Sequence, residues 1–312
     1  MIDARHQTSA PWCIVVADAA APTWRIPEEK HGAPVQYCCF GQPTTMLQKA
    51  LHRAIRVSEA GRVMVTAAEA HRSHWEGPLW YVRPEHRFVS ACPGWSALTT
   101  ASAVLWIAAR APLAKVTILP ARCYVADEWT LTVALHRALY ERPLVVDEIV
   151  TLGMTTDELA LDEDYLMTRT SDGGLTSSVT VSSLDSRRWA TRELARKGAL
   201  IASDIYIGHA STFAALFYSY WPILTHALLR QLANSLNRHD EKRIPPNLLE
   251  DALSEAPRPF WDRPPWNAQQ IFRVKPCGWS GLRSKRAILR VACPGRTIPD
   301  ELDEGRAIAR EY

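Results

Sequence analysis

No stretch of this 312-residue chain approaches the roughly 18 uninterrupted apolar residues that a membrane span requires. No Cys-x-x-Cys pair occurs, and the seven cysteines are an odd number, so the expectation is reduced thiols in a cytoplasmic protein rather than a disulfide framework. Charge of one sign is scarce as well: a formal net charge of +3 offers no concentrated basic face for nucleic acid or an anionic membrane. Internal repeats are absent. A cleavable leader is not expected, because Asp18 interrupts the apolar segment from Pro11 to Pro22 and only Arg5 and His6 could form a charged front. What is present is an ordinary globular balance, 47% apolar and 22% charged, in a chain able to bury a sizeable core in one large or two smaller domains. The twelve tryptophans are scattered and read as packing residues.

Strand and helix patterns alternate along the chain. Cys13–Ala17 reads as a first strand, followed by a loop with four prolines up to Pro43. Leu47, Leu51, Ala54 and Ile55 then share one helical face, with Thr44 or Thr45 as the cap. Arg62–Ala67 and Arg87–Ser90 read as strands separated by a short helical piece at His71–Trp75. A helix over Ala97–Ala109 turns Leu98, Ala101, Val104, Leu105 and Ala108 inward. Lys115–Leu119 is the next strand, and Glu128–Glu141 the next helix, with Leu131, Ala134, Leu135, Ala138 and Leu139 on its buried side. This alternation predicts a largely parallel sheet covered on both faces, whose ligands collect outside the carboxyl ends of its strands. Beyond it, Leu144–Leu152 and Ile205–Gly208 read as strands and Val179–Ser183 as part of an extension around the mouth of the site. Arg187–Lys197 reads as a charged helix, and Thr212–Ser235 as a helical region broken at Pro222. Residues 240–268 are rich in proline, which suits an extended wrap; Ile271–Lys275 reads as a last strand, and the final residues are polar.

Several fragments, in order, carry a resemblance. They are Pro34-Val35-Gln36-Tyr37, the helix Met46–Arg53, His71-Arg72, the strand ending in Leu119-Pro120-Ala121-Arg122, Leu152-Gly153-Met154, Lys197-Gly198-Ala199-Leu200 and Cys277-Gly278-Trp279-Ser280. Their succession resembles the sugar-nucleotidyltransferase family, in particular its mannose-1-phosphate guanylyltransferase branch, from about residue 13 to about residue 290. The resemblance implies an α/β, Rossmann-like nucleotidyltransferase fold with a mixed, mainly parallel central sheet and helices on both faces. It implies one domain over residues 11–293, of which 240–293 wrap back to the sheet, and a polar tail over 294–312.

The residues that the resemblance would assign to chemistry have changed. Nucleotidyl transfer needs a cradle for polyphosphate, cations and an in-line attack. Where the family has a glycine-rich loop after the first strand, this chain has Ala17-Asp18-Ala19-Ala20-Ala21-Pro22, without a glycine. The family's phosphate-facing lysine is Val35 here, although Gln36 remains. Of the two aspartates that ligate magnesium, one position holds Arg122 and the other Gly281, and neither offers the hard anionic oxygen that magnesium prefers. The sugar-contacting Glu-Lys-Pro segment falls at Leu184-Asp185-Ser186, and Ile201-Ala202 stands where the family has Trp-Asn.

The expectation is therefore a degenerate, non-catalytic member that binds a metabolite or partner, with no cofactor and no metal site. Arg25, Gln36, Arg122, Trp279, Ser280 and Arg283 are its candidate ligand-binding residues; the ligand class is a nucleotide or nucleotide-sugar, with a homo- or hetero-oligomer as a further possibility. Guanidinium pairs bidentately with phosphate, so Arg122, with Arg25 or Arg283, could form an anion site that needs no metal. The alternative for Arg122 is a structural bridge to Asp127 or Asp204. Two rival functions stand beside this one: an active sugar-phosphate guanylyltransferase with magnesium on substitute ligands drawn from Asp18, Asp127, Asp185 and Asp204, and a structural subunit of an active paralogue.

Four other constellations carry weaker signals. His71-x-x-His74 with Glu69 or Glu76 has zinc-compatible spacing but no fixed third ligand, and reads as a solvated turn. Asp157, Glu158, Asp162, Glu163 and Asp164 read as a solvated acidic face before they read as a cation site. Cys38, Cys39 and Cys123 lie near the expected cleft, and a nucleophilic role would need a depressed thiol pKa, for which Arg122 beside Cys123 is the one local cause. Gly173-Gly174 reads as a hairpin turn.

Overall fold

The structure, a computed structural model, describes residues 10–17, 23–24, 32–91, 96–155, 163–170, 176–181, 198–235, 238–244, 248 and 270–293. Along the first half run β1 (Trp12–Val16), β2 (Thr23–Trp24), β3 (Ala33–Pro34), α1 (Met46–Val57), β4 (Val63–Ala68), α2 (Arg72–Trp75), β5 (Arg87–Ser90), α3 (Ser96–Ala108), β6 (Lys115–Pro120) and α4 (Glu128–His136). The second half adds β7 (Ile149–Met154), β8 (Tyr165–Thr170), β9 (Thr176–Val181), β10 (Leu200–His209), α5 (Ala210–Tyr220), α6 (Pro222–Ser235), β11 (Lys242–Ile244), β12 (Gln270–Val274) and α7 (Lys285–Ala292). The predicted helix Arg187–Lys197, Gly173-Gly174 and the tail from residue 294 lie outside the described residues.

Ten strands form one sheet in the order β11-β5-β4-β1-β6-β10-β7-β12-β9-β8. It is the mixed, mainly parallel sheet that the resemblance implies; the alternating pattern alone predicts its parallel part. β1 pairs in parallel with β4 and β6, and β7 with β12, while β10 runs antiparallel between β6 and β7. Period-two alternation sends Cys13 and Val15 of β1 to one face, under α1 and α4, and Ile14 to the other, under α3, α5 and α6. α1 starts at a capping box: Thr45 Oγ1 accepts from the Gln48 N–H at 3.2 Å, and Gln48 Oε1 accepts from the Thr45 N–H at 2.9 Å.

Four elements differ from the sequence reading. Leu98 through Ile107 are all buried, because α5 and α6 cover the side of α3 that faces away from the sheet. β7 begins at Ile149, not Leu144: Asp147 sits at φ +70, and Val145 and Val146 are exposed. β8 follows the acidic stretch directly and pairs with β9. β10 spans ten residues, because a register shift between Ala202 and Tyr206 lets it continue through Asp204, which adopts φ +57.

His86 packs edge-on against the rings of Trp12 and Trp106, with centroids 5.3 and 5.4 Å away, and burial pushes its pKa down to about 4. The unfolded chain takes up a proton near pH 6.5 that the folded protein refuses, so folding loses stability as pH falls from 6.5 towards 4. The expected loss over that window reaches about 3 kcal/mol. Urea unfolding of wild type and His86→Gln across the window checks this; parallel pH dependence of the two would rule it out.

Candidate functional site at the carboxyl ends of the strands

The site begins where β6 stops. The Ala121 N–H donates to the Val16 carbonyl at 2.9 Å, which carries the chain alongside the end of β1 and leaves Arg122 partly buried beyond the strand. A second turn, 277–283, clamps onto this one. Tyr124 and Ser280 exchange two backbone hydrogen bonds of 2.9 Å, and the N–H groups of Ala126 and Asp127 reach the Cys277 carbonyl at 3.1 and 3.0 Å. Gly278 permits the approach: it holds φ +62, and a Cβ there would lie 2.6 Å from Ala126 Cβ. Ser280 is thereby paired with Tyr124, and Arg283 is brought close enough for its charge to act on Arg122. The Trp279 indole N–H is buried and meets no hydrogen-bond acceptor among the described residues.

Arg283 is the hub. Its Nη1 and Nη2 lie 2.5 Å from Asp164 Oδ2 and Asp204 Oδ2, and its Nε lies 3.5 Å from Glu163 Oε2. Glu163 is 2% exposed and accepts the Gly281 N–H at 2.6 Å. The charge of Asp204 first, then those of Asp164 and Glu163, hold the Arg283 pKa above its ordinary value against the opposing effect of burial. Arg122 shifts the other way: burial and the Arg283 charge lower its pKa, while Asp204 and Glu163 oppose them. Asp204 is thus the acid that bears on Arg122, of the two considered. Asp127 is exposed and caps α4, accepting from the Thr130 N–H at 3.1 Å and from the Thr130 hydroxyl at 2.7 Å.

Gln36 is buried, and its Nε2 donates to the Ala17 carbonyl at 3.1 Å; the Tyr37 hydroxyl donates to the same oxygen at 3.0 Å. Both side chains tether this segment to the end of β1. Val35 is fully buried with Met46, Leu282 and Ile288, a setting in which a lysine head group would lose its hydration. Arg25, Asp18 and Asp185 lie outside the described residues.

Cys123 departs from the nucleophile expectation. Burial pushes its thiol up, and the cation that touches it is Arg53, whose Nη1 lies 3.0 Å from Sγ, not its neighbour Arg122. Arg53 also holds Glu128 through two bonds of 2.7 and 2.8 Å. His71 and His74 both pack on the Tyr37 ring, at centroid distances of 5.6 and 5.3 Å. Among the described residues no group of three His, Cys, Asp or Glu side chains is arranged to hold a metal ion. A cavity of about 680 Å³ opens beside β11, lined by Pro84, Leu232, Arg238, Glu241 and Lys242, and shares no residue with the Arg283 cluster.

No protein-family model matches the chain, and no curated protein matches it in sequence. Solved structures do match in shape. One described as mannose-1-phosphate geranyltransferase, from Thermus thermophilus, aligns over 90% of this chain and 79% of its own with a TM-score of 0.67 at 16% identity. The fold is nucleotidyltransferase-like. A mannose-6-phosphate isomerase from Helicobacter pylori aligns over 87% of this chain and 99% of its own, with a TM-score of 0.58 at 12% identity. No helix among the described residues is long and apolar enough to cross a membrane.

Sequence reasoning named Arg122, Trp279, Ser280 and Arg283, which lie in the two turns that the fold clamps together. It did not join Glu163, Asp164 and Asp204 to Arg283. The available signals were an acidic stretch, read as solvated, and an aspartate that stands just before the strand read from Ile205.

Proposed function

We propose that the chain is a degenerate, non-catalytic sugar-nucleotidyltransferase-like protein that acts by binding a metabolite or a protein partner. The observation that carries this reading is the pairing of Arg122 with Gly281 at the two positions where the resemblance implies magnesium-binding aspartates. A guanidinium repels the ion that nucleotidyl transfer requires, and the space above Gly281 is taken by the Glu163 carboxylate, 2.7 Å from where a Cβ would stand. The burial of Val35 supports the same reading, since no phosphate-facing cation replaces the lysine there. For a nucleotide or nucleotide-sugar bound without metal, Arg122 is the candidate cation, and Gln36 acts by holding the end of β1 in place.

Purified protein given GTP, mannose 1-phosphate and magnesium is expected to release no pyrophosphate above the blank. Nucleotide or nucleotide-sugar is expected to raise the unfolding temperature without turnover. Magnesium-dependent pyrophosphate release that scales with protein concentration would overturn the proposal.

A second reading, a structural subunit of an active paralogue, is favoured by one feature. α4 turns Trp129, 72% exposed, and Val133 to solvent one helical turn apart, with Tyr140 exposed just beyond its end. That reading predicts co-purification with a second chain of the same fold, lost on Trp129→Glu.

A further inference from the structure

Three carboxylates from separate stretches of chain converge on one guanidinium. Glu163 and Asp164 precede β8, Asp204 comes from the irregular middle of β10, and Arg283 ends the turn that is clamped to the segment following β6. The magnesium implied by the resemblance does not fit. Each of the three carboxylates is already engaged, Asp164 and Asp204 through Oδ2 by Arg283 and Glu163 through Oε1 by the Gly281 N–H, and the charge of Arg122 acts on the same cluster.

We infer that Arg283 is an internal counter-cation that stands in place of the divalent ion and makes the strand-end site independent of metal. The inference deepens the non-catalytic reading above and rests on the same site. An ordinary structural bridge needs one acid. Here two arginines face three carboxylates, which leaves about one net negative charge; without Arg283 about two would remain, the charge that one divalent ion matches. The surrounding backbone is shaped to this arrangement. Asp204 and Leu282, the residue before Arg283, occupy the left-handed region at φ +57 and +50, and Gly281 leaves room for Glu163 by having no side chain.

Manganese is the probe, titrated into wild type, Arg283→Ala and Arg283→Lys while calorimetry and thermal unfolding are followed. Wild type and Arg283→Lys, which keeps a cation, are expected to show neither heat nor stabilisation at millimolar manganese. Arg283→Ala is expected to bind at least about tenfold more tightly than wild type, and to lose that gain when Asp204→Asn is added. Should Arg283→Ala not fold alone, its refolding in manganese becomes the readout: recovery supports the inference, and failure to recover overturns it. A folded Arg283→Ala protein that ignores manganese, or a wild type that binds it equally well, would also overturn it. Metal-free turnover by the wild type would remove the non-catalytic reading alone; manganese binding by the wild type without turnover would remove this inference alone.

Discussion

Replacing Arg53 by Met is expected to cost about 3 kcal/mol of folding stability. Arg53 lies on α1, 2% exposed, and its guanidinium joins that helix to the first turn of α4 through two bonds to Glu128 and one to the Cys123 sulfur. Without it, Glu128 keeps its charge beside an apolar interface and loses its partner. The Glu128 side chain is 28% exposed, so water compensates in part, which sets the figure at the low end of the range for broken buried pairs. The double variant Arg53→Met/Glu128→Gln is expected to recover more than half of the loss. Denaturant titration of the three proteins measures the coupling; a cost below about 1 kcal/mol for Arg53→Met would mean that the pair behaves as a solvated surface bridge.

Gly281→Asp restores the acid that the resemblance implies, and it is expected to destabilise the protein by about 3 kcal/mol rather than create a metal site. The new Cβ would meet Glu163 Oε2 at 2.7 Å and Oε1 at 2.9 Å, and Glu163 is held there by the Gly281 N–H and by Arg283. A second carboxylate would add like-charge repulsion to the overlap. Gly281→Ala separates the two effects, because it keeps the overlap and omits the charge. Thermal unfolding of both variants with and without magnesium is the measurement. A Gly281→Asp protein as stable as wild type and further stabilised by magnesium would show that the second ligand position remains usable.

Much of the frame was legible because burial writes a local period into the chain. β1, β4, β5 and β6 lie within a residue of the runs read from Cys13, Arg62, Arg87 and Lys115, and the break between α5 and α6 falls at Trp221, one residue before the proline that marked it. β8 was not legible: Tyr-Leu-Met-Thr-Arg-Thr has no clean alternation, and it follows an acidic stretch that reads as surface. β10 was cut short because an aspartate inside a strand signals an end, and only the pairing with β7 on one side and β6 on the other shows that the strand continues through it. α3 was read as one-sided because its second cover, α5 and α6, lies more than a hundred residues farther along the chain.

At the site, the chain's own order of residues determined that an arginine follows β6 and that a glycine stands in the later turn, the two positions where the resemblance implies aspartates. It also determined the alternation of strands and helices, since each element needs only its neighbours in sequence to show an apolar face. Tertiary structure alone decided that Asp164 and Asp204, separated from Arg283 by 119 and 79 residues, meet it at 2.5 Å. That meeting depends on β10 entering the sheet antiparallel between β6 and β7 and on the 277–283 turn pairing with Tyr124. Strand order and the convergence of distant side chains are set by how faces pack against one another, and no local periodicity encodes them.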